Sequence, residues 1–461
     1  MRNGVRKDME NAGAGIAAMR PGGLRRWLPA GAGRAIATLT LLSGATALGA
    51  VMVFLTQTLL ARIMGPAQYG LFASSLATVT MIAPLAGFGL TQFRLKIYGA
   101  EGWHANRWLP ASLRFTALTT SLALLSLAGW ALLGAPPDDT RFMLLVLSPV
   151  VISILMVDLI SNKLRLEERY GEMALWQMAI PASRLAVAVA LLLVPHLSGR
   201  FVALCYCAIA VLVASATVPQ VRAMMQGRLD LKGHGPRPAR IVHADPPPGV
   251  GALWSQAWAF GVYAALYPVF YQISTILLKY LAGDAHAGRY SVALAVMTAI
   301  YLIPATIYQK YLLGKLHRWA VHDRPKFWRV YRQGNAGMLG LGLAIGAALA
   351  IAAPWVVPLV FGEQYRSVAD ILQVLALCVP IRFLSTAMGA ALLTENHMRF
   401  RVYAIAVSTV FTVGMNAALI PRLAESGAAW ATVIGEAALL LGTAWGVRRF
   451  RRLERARDEA R

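Results

Sequence analysis

The stretch from Leu59 to Ile82, LLARIMGPAQYGLFASSLATVTMI, returns 218 positions later as LLKYLAGDAHAGRYSVALAVMTAI, from Leu277 to Ile300. Matched residues stand at Leu59 and Leu277, Leu60 and Leu278, Gly65 and Gly283, Ala67 and Ala285, and Gly70 and Gly288. The match continues at Phe72 and Tyr290, Leu76 and Leu294, Ala77 and Ala295, Thr80 and Thr298, and Ile82 and Ile300. Two apolar helices share leucine and alanine by composition alone. A shared G-x-A-x-x-G is harder to obtain that way, because paired glycines suit a tight turn and a close helix approach. A looser echo, LVPHL from Leu193 and LIPRL from Leu419, closes a later helix of each copy. The chain reads as a tandem repeat.

Twelve apolar runs surround the two copies, near residues 36–59, 69–93, 112–134, 142–161, 173–194, 201–222, 256–278, 289–312, 336–361, 368–393, 400–420 and 427–447. Each supplies the roughly 20 helical residues that cross a bilayer core of about 30 Å. The 461 residues are 57% hydrophobic and only 14% charged, with a mean hydropathy of +0.56, whereas soluble domains carry roughly 25% charged residues. This composition argues against a soluble globular enzyme. The expected fold is an all-α polytopic membrane protein with twelve transmembrane helices in two six-helix lobes. Six is an even number, so the copies share one orientation and a pseudo-two-fold along the membrane normal relates them. The boundaries read as a basic tail over 1–34, an N-lobe over 35–223, a linker over 224–253, a C-lobe over 254–447 and a second basic tail over 448–461. The linker follows from Pro236, Pro238 and Pro246-Pro247-Pro248.

The net charge of +23 taken alone suggests nucleic-acid binding, but its distribution says otherwise. With the N-terminus inside, 34 of the 44 Lys and Arg fall on inner segments, seven on outer ones and three (Arg114, Arg184, Arg382) within spans. That asymmetry is the positive-inside pattern, and it places both termini in the cytoplasm of a multi-pass inner-membrane protein. Trp103, Trp108 and Trp254 near the inner interface and Trp130, Trp355 and Trp430 near the outer one agree with it. The first apolar run is too long for a signal-peptide core and lacks a cleavage site, so no cleaved leader is expected. The segment His317–Arg332, HRWAVHDRPKFWRVYR, reads as a surface strip on anionic inner-leaflet lipid rather than a nucleic-acid site.

Chemistry-bearing motifs are sparse. Cys205, Cys207 and Cys378 sit in apolar runs and make neither a disulfide framework nor a zinc site. The eight histidines have no metal-ligand spacing and no P-loop occurs, so no metal, cofactor or ATP hydrolysis is expected.

The stretch QTLLARIMGPAQYGLFASSLATVTMIAPLAGFGL from Gln57 resembles the N-terminal signature of polysaccharide-export flippases (Wzx type) in the multidrug, oligosaccharidyl-lipid and polysaccharide transporter superfamily. The blocks ILLKYLAGDAHAGRYSVALAV from Ile276, PWVVPLVFGEQYRSVADILQVLALCVPIRFL from Pro354 and ALIPRLAESGAAWATVIGE from Ala418 resemble its second-lobe helices. The resemblance covers about Leu39 to Val447. It implies a MATE-like fold whose cavity faces the two sides of the membrane in turn, with a polyprenyl-pyrophosphate-linked oligosaccharide as cargo. Membrane lipids and other polysaccharide-assembly membrane proteins are the implied partners. Where family members often carry an Asp before the LL pair of the seventh helix, this chain has Ser274. A drug or cation antiporter on the same fold, and a polytopic glycan polymerase or ligase, are the rival readings. The first is disfavoured by the absence of an acid in the first helix, and the second by short outer loops.

Charged groups at bilayer depth cost at least about 2.5 kcal/mol on insertion scales and ask for a reason. Arg184 and Arg382 stand near mid-span, each soon after a proline (Pro181, Pro380). A guanidinium in a wet cavity binds pyrophosphate oxygens bidentately; the rival reading pairs it with Asp158 or Glu436. Those two acids are in turn the candidates for proton coupling. Arg94 and Lys310 close repeat-paired helices and read either as mouth residues for an anionic head group or as snorkelling anchors. Tyr263, Tyr267 and Tyr271 share one face of the seventh helix at a spacing of four, which suits sugar lining and interhelical bonding equally. Pro84, Pro149, Pro268, Pro304 and Pro358 are expected to kink their spans.

Overall fold

The computed structural model describes residues 32–134, 137–193, 198–232, 235, 247–312, 323–391 and 398–459. The chain divides into two units, Met1–Thr40 and Leu41–Arg461. The described part of the first, residues 32–40, is helical. The cavities and packing lie in the second.

The elements are all helical among the described residues. They are α1 (Ala32–Gly87), α2 (Leu90–Glu101), α3 (Leu109–Leu133), α4 (Asp138–Leu147), α5 (Pro149–Leu166), α6 (Tyr170–Leu191) and α7 (Gly199–Met225). After the linker come α8 (Val250–Leu281), α9 (Asp284–Ala305), α10 (Arg324–Phe361), α11 (Val368–Leu375), α12 (Cys378–Ala391) and α13 (Met398–Glu459). Nine helical stretches among the described residues are long and apolar enough to cross a membrane. The first covers Thr40–Leu133 and the last Arg399–Arg452, each long enough to cross more than once at 1.5 Å per residue. α1 breaks at Gly65 (φ 73°) and α13 at Ala424 (φ 48°), so neither is one straight rod.

The outward faces are apolar. α3 exposes Leu118, Leu122, Leu125 and Leu132, and α13 exposes Val407, Val410 and Leu441. Water would penalise such faces, whereas hydrocarbon matches them, and the helices satisfy their own backbone groups. The interior is closed by ring and small-residue packing: Phe72 stands edge-on to Tyr206 at 5.0 Å between centroids, and Phe93 to Trp108 at 5.3 Å. α13 packs on α8 and α12, α10 on α12, and α5 on α7.

The expected prolines act in three ways. Pro149 stands at the first position of α5, where its missing N–H costs nothing. Pro304 lies two residues before a π-helical turn over Thr306–Leu312. Pro84 lies one turn before the α1–α2 junction, where Phe88 and Gly89 both take positive φ. Residues 233–234 and 236–246 of the 224–253 linker, the segment 317–322 and the residues before 32 lie outside those described.

Candidate functional site: two cavities joined by one helix face

The repeated motif forms a junction between its own two copies. Gly65 and its counterpart Gly283 both take left-handed φ, 73° and 103°, the turn geometry that only glycine adopts freely. The second glycines then meet: a β-carbon on Gly70 would strike the backbone of Asp284 and Gly288, and one on Gly288 would strike the backbone of Pro66 and Gly70. Pro66 and Asp284 are themselves 218 apart, so the contact is reciprocal. Around it, Tyr365 donates to the Ala61 carbonyl at 3.1 Å and Gln364 to the Arg62 carbonyl at 3.2 Å. Lys279 lies 3.6 Å from Asp284 and 3.5 Å from the Ser75 hydroxyl. Trp130 Nε1 donates to the Tyr280 hydroxyl at 3.0 Å. This end of the bundle is closed.

Directly beneath lies a cavity of about 240 Å³. Six of its lining pairs are again related by 218: Val53 and Tyr271, Gln57 and Thr275, Ala73 and Ser291, Leu76 and Leu294, Ala77 and Ala295, and Thr80 and Thr298. Hydroxyl and amide groups dominate the polar part, with Thr56, Gln272 and Tyr69 added to the pairs. One charged group enters, Arg184 of α6, whose guanidinium lies 4.5 Å above the Tyr206 ring. Its Nε is buried without a hydrogen-bond partner. Such a cation, desolvated and incompletely bonded, is suited to an incoming anion with several acceptor oxygens.

A second cavity, of about 360 Å³, lies between α8, α9, α12 and α13 and is lined by Tyr263, Tyr267, Tyr308, Arg382, Ser385, Thr386, Arg401 and Thr443 among others. Arg382 is 8% exposed and Glu436 1%. The guanidinium donates to both carboxylate oxygens, at 3.0 and 3.3 Å, and also to the Tyr267 hydroxyl. It lies 5.3 Å above each of the Tyr267 and Tyr301 rings. A buried charge with one matched partner and two aromatic faces is compensated where it stands.

The two mid-span arginines thus differ. Among the described residues Arg184 carries no carboxylate, whereas Arg382 is paired with Glu436. Asp158 is exposed on α5 and forms no ion pair among the described residues. Arg94 is 3% exposed, with all three guanidinium nitrogens buried and lacking hydrogen-bond partners, and lines neither cavity. The side chain of Lys310 lies outside those described. Tyr267 belongs to the second cavity and Tyr271 to the first, where its hydroxyl bonds Thr298 at 2.7 Å. Ser274 stands in a buried polar cluster, accepting from Asn416 at 3.1 Å and sharing a 3.3 Å contact with Thr432. Arg401 was missed by sequence reasoning: it sits near the start of α13, at a helix end where a cation reads as a topology signal alone.

The sequence matches the polysaccharide biosynthesis protein family over residues 36–312. The chain belongs to that family. This polysaccharide biosynthesis protein is also similar in fold to a solved lipid II flippase, MurJ in an inward closed conformation. There the identity is 12%, covering 88% of this chain and 87% of that one, with a TM-score of 0.66. An inward-facing multidrug resistance MATE family transporter of the MOP superfamily is 14% identical over 91% of this chain and 99% of that one, with a TM-score of 0.65. The fold of this family member is therefore the MATE-like helical fold. No curated protein matches the sequence.

Proposed function

We propose that the protein is a flippase for a polyprenyl-pyrophosphate-linked oligosaccharide, carrying the head group from the inner to the outer leaflet by alternating access. The observation that carries this reading is the cavity beneath the Gly70–Gly288 junction. Its wall is hydroxyl-rich and fed in pairs by both copies of the repeat, and it holds one carboxylate-free cation, Arg184. Hydroxyls and amides bind sugar, a guanidinium binds phosphate, and the apolar outer faces leave the lipid tail in the bilayer. Family membership supports the same cargo class.

In this reading the two six-helix halves, 35–223 and 254–447, rock about the linker, and both termini face the cytoplasm. The closed glycine junction is then the outer side, and the second cavity lies toward the inner one. Glu436 serves as the partner of Arg382 and is open to protonation only if that pair separates. The test is the leaflet distribution of lipid-linked glycan. Deleting the gene is expected to strand it on the cytoplasmic side. Normal surface glycan in a deletion strain with no redundant transporter overturns the proposal.

The rival reading, drug or cation export, is disfavoured by the same cavity. Among the described residues its one charged lining group is cationic, and a like charge repels a cationic cargo.

A further inference from the structure

The tyrosine face of α8 joins the two cavities. Tyr263 and Tyr267 line the second cavity and Tyr271 the first. At four residues a step the three rings rise about 6 Å each along the helix. Two of them carry an arginine. The Arg401 guanidinium lies 4.6 Å above the Tyr263 ring and donates to its hydroxyl at 2.7 Å. One step further, Arg382 occupies the same kind of position on Tyr267.

The charges of that cavity do not balance. Glu436 neutralises Arg382, and no described carboxylate pairs with Arg401. Among the described residues the cavity therefore keeps one surplus positive charge, beside the hydroxyls of Ser385, Thr386 and Thr443. A surplus cation in a partly desolvated hollow attracts an anion more strongly than it would in water. Arg401 stands on Tyr263 and Arg382 on Tyr267, one step nearer the Gly283 end of α8, so of the two cations in this cavity Arg401 is the one set further from the closed glycine junction.

We infer that Arg401 and Tyr263 form an entry site for a pyrophosphate group, about two turns of α8 before the Arg184 cavity. The ligand class rests on the flippase reading; the site rests on the charge imbalance and the tyrosine ladder. Arg401 holds the anion through the fork of its guanidinium, and Tyr263 orients that fork. The Arg382–Glu436 pair stands between the two stations as a charge-matched step, so the anion passes a cation it does not need to displace from its carboxylate.

The probes are inorganic pyrophosphate, geranyl pyrophosphate and, as the uncharged control, geraniol, titrated onto the full-length protein in lipid nanodiscs. Both pyrophosphates are expected to bind and geraniol is not. Binding of both weakens about ten-fold in Arg401→Gln, equivalent to about 1.4 kcal/mol, and about three-fold in Tyr263→Phe, with an intermediate loss in Arg401→Lys. Unchanged melting temperatures separate this from misfolding, and a loss of affinity with added salt marks the charge. Geranyl pyrophosphate binding alone, without the inorganic ion, assigns the site to lipid-borne phosphate. Full affinity in Arg401→Gln, or no pyrophosphate binding at all, overturns the entry site. Arg401-dependent binding in a protein whose deletion leaves glycan distribution normal overturns the flippase reading and keeps the anion site.

Discussion

Gly70 and Gly288 touch backbone to backbone, and neither position has room for a β-carbon. They are the same residue of the repeat, so the contact is one that the motif makes with itself. Replacing either by alanine forces α1 and α9 apart at the closed end. Gly70→Ala and Gly288→Ala are each expected to raise labelling of a cysteine placed at Arg62 by a membrane-impermeant thiol reagent, and to lower transport. Labelling at the wild-type level in both variants counts against the junction as a seal.

Tyr365 spans the same end through its bond to the Ala61 carbonyl. Burial pushes its phenol above the ordinary tyrosine value, so it remains protonated, and hence a donor, through the whole range below that value. The closed end is therefore expected to show the same thiol accessibility from about pH 6 to about pH 9. Tyr365→Phe is expected to cost about 1 kcal/mol of stability, read from thermal unfolding in detergent.

Arg382 and Glu436 provide a sharper test. Removing one member leaves the other as an uncompensated buried charge, which typically costs about 3 to 5 kcal/mol. Arg382→Gln and Glu436→Gln are each expected to lower the melting temperature strongly. The double variant is expected to recover most of that loss. A double variant as unstable as the sum of the single ones would show that the two groups are not coupled.

Among the described residues Arg184 is the one charged group lining the cavity fed by both repeats. Arg184→Gln is expected to reduce transport by at least about ten-fold, the worth of one charge-assisted contact. Tyr206→Phe keeps the ring beneath the guanidinium and is expected to retain most activity. Stability is expected to change little in either, because Arg184 has no carboxylate among the described residues to leave behind.

Ala424 holds a positive φ inside α13, in a region that carries a steric penalty for any residue with a β-carbon. Ala424→Gly is expected to stabilise the protein by about 1 kcal/mol through release of that strain, measured as a rise in melting temperature.

The all-helical membrane fold was legible in the apolar runs and the repeat. An offset read from glycines at Gly65, Gly70, Gly283 and Gly288 also predicts which residues face each other across the first cavity, since turn geometry and close approach are local demands that leave a mark in sequence. The pairing of Arg382 was among the readings open at that stage, and what decided for Glu436 is a contact 54 residues away. No periodicity encodes such a choice. Arg401 was hidden for a different reason: a cation at a helix end reads as a topology signal, and only the lack of a paired acid among the described residues sets it apart. The burial of Arg94 was hidden likewise, because a helix-end arginine reads as a snorkelling anchor until its neighbours are known.

The first cavity takes most of its wall in matched pairs, and a wall of that kind offers a ligand two equivalent ways round. Arg184 on Tyr206 has no counterpart across the cavity. That one unmatched side chain breaks the tie, so an elongated ligand with phosphate at one end and sugar at the other would be received in a single sense. A chain that duplicated its scaffold needed only one unduplicated residue to give that scaffold a front and a back.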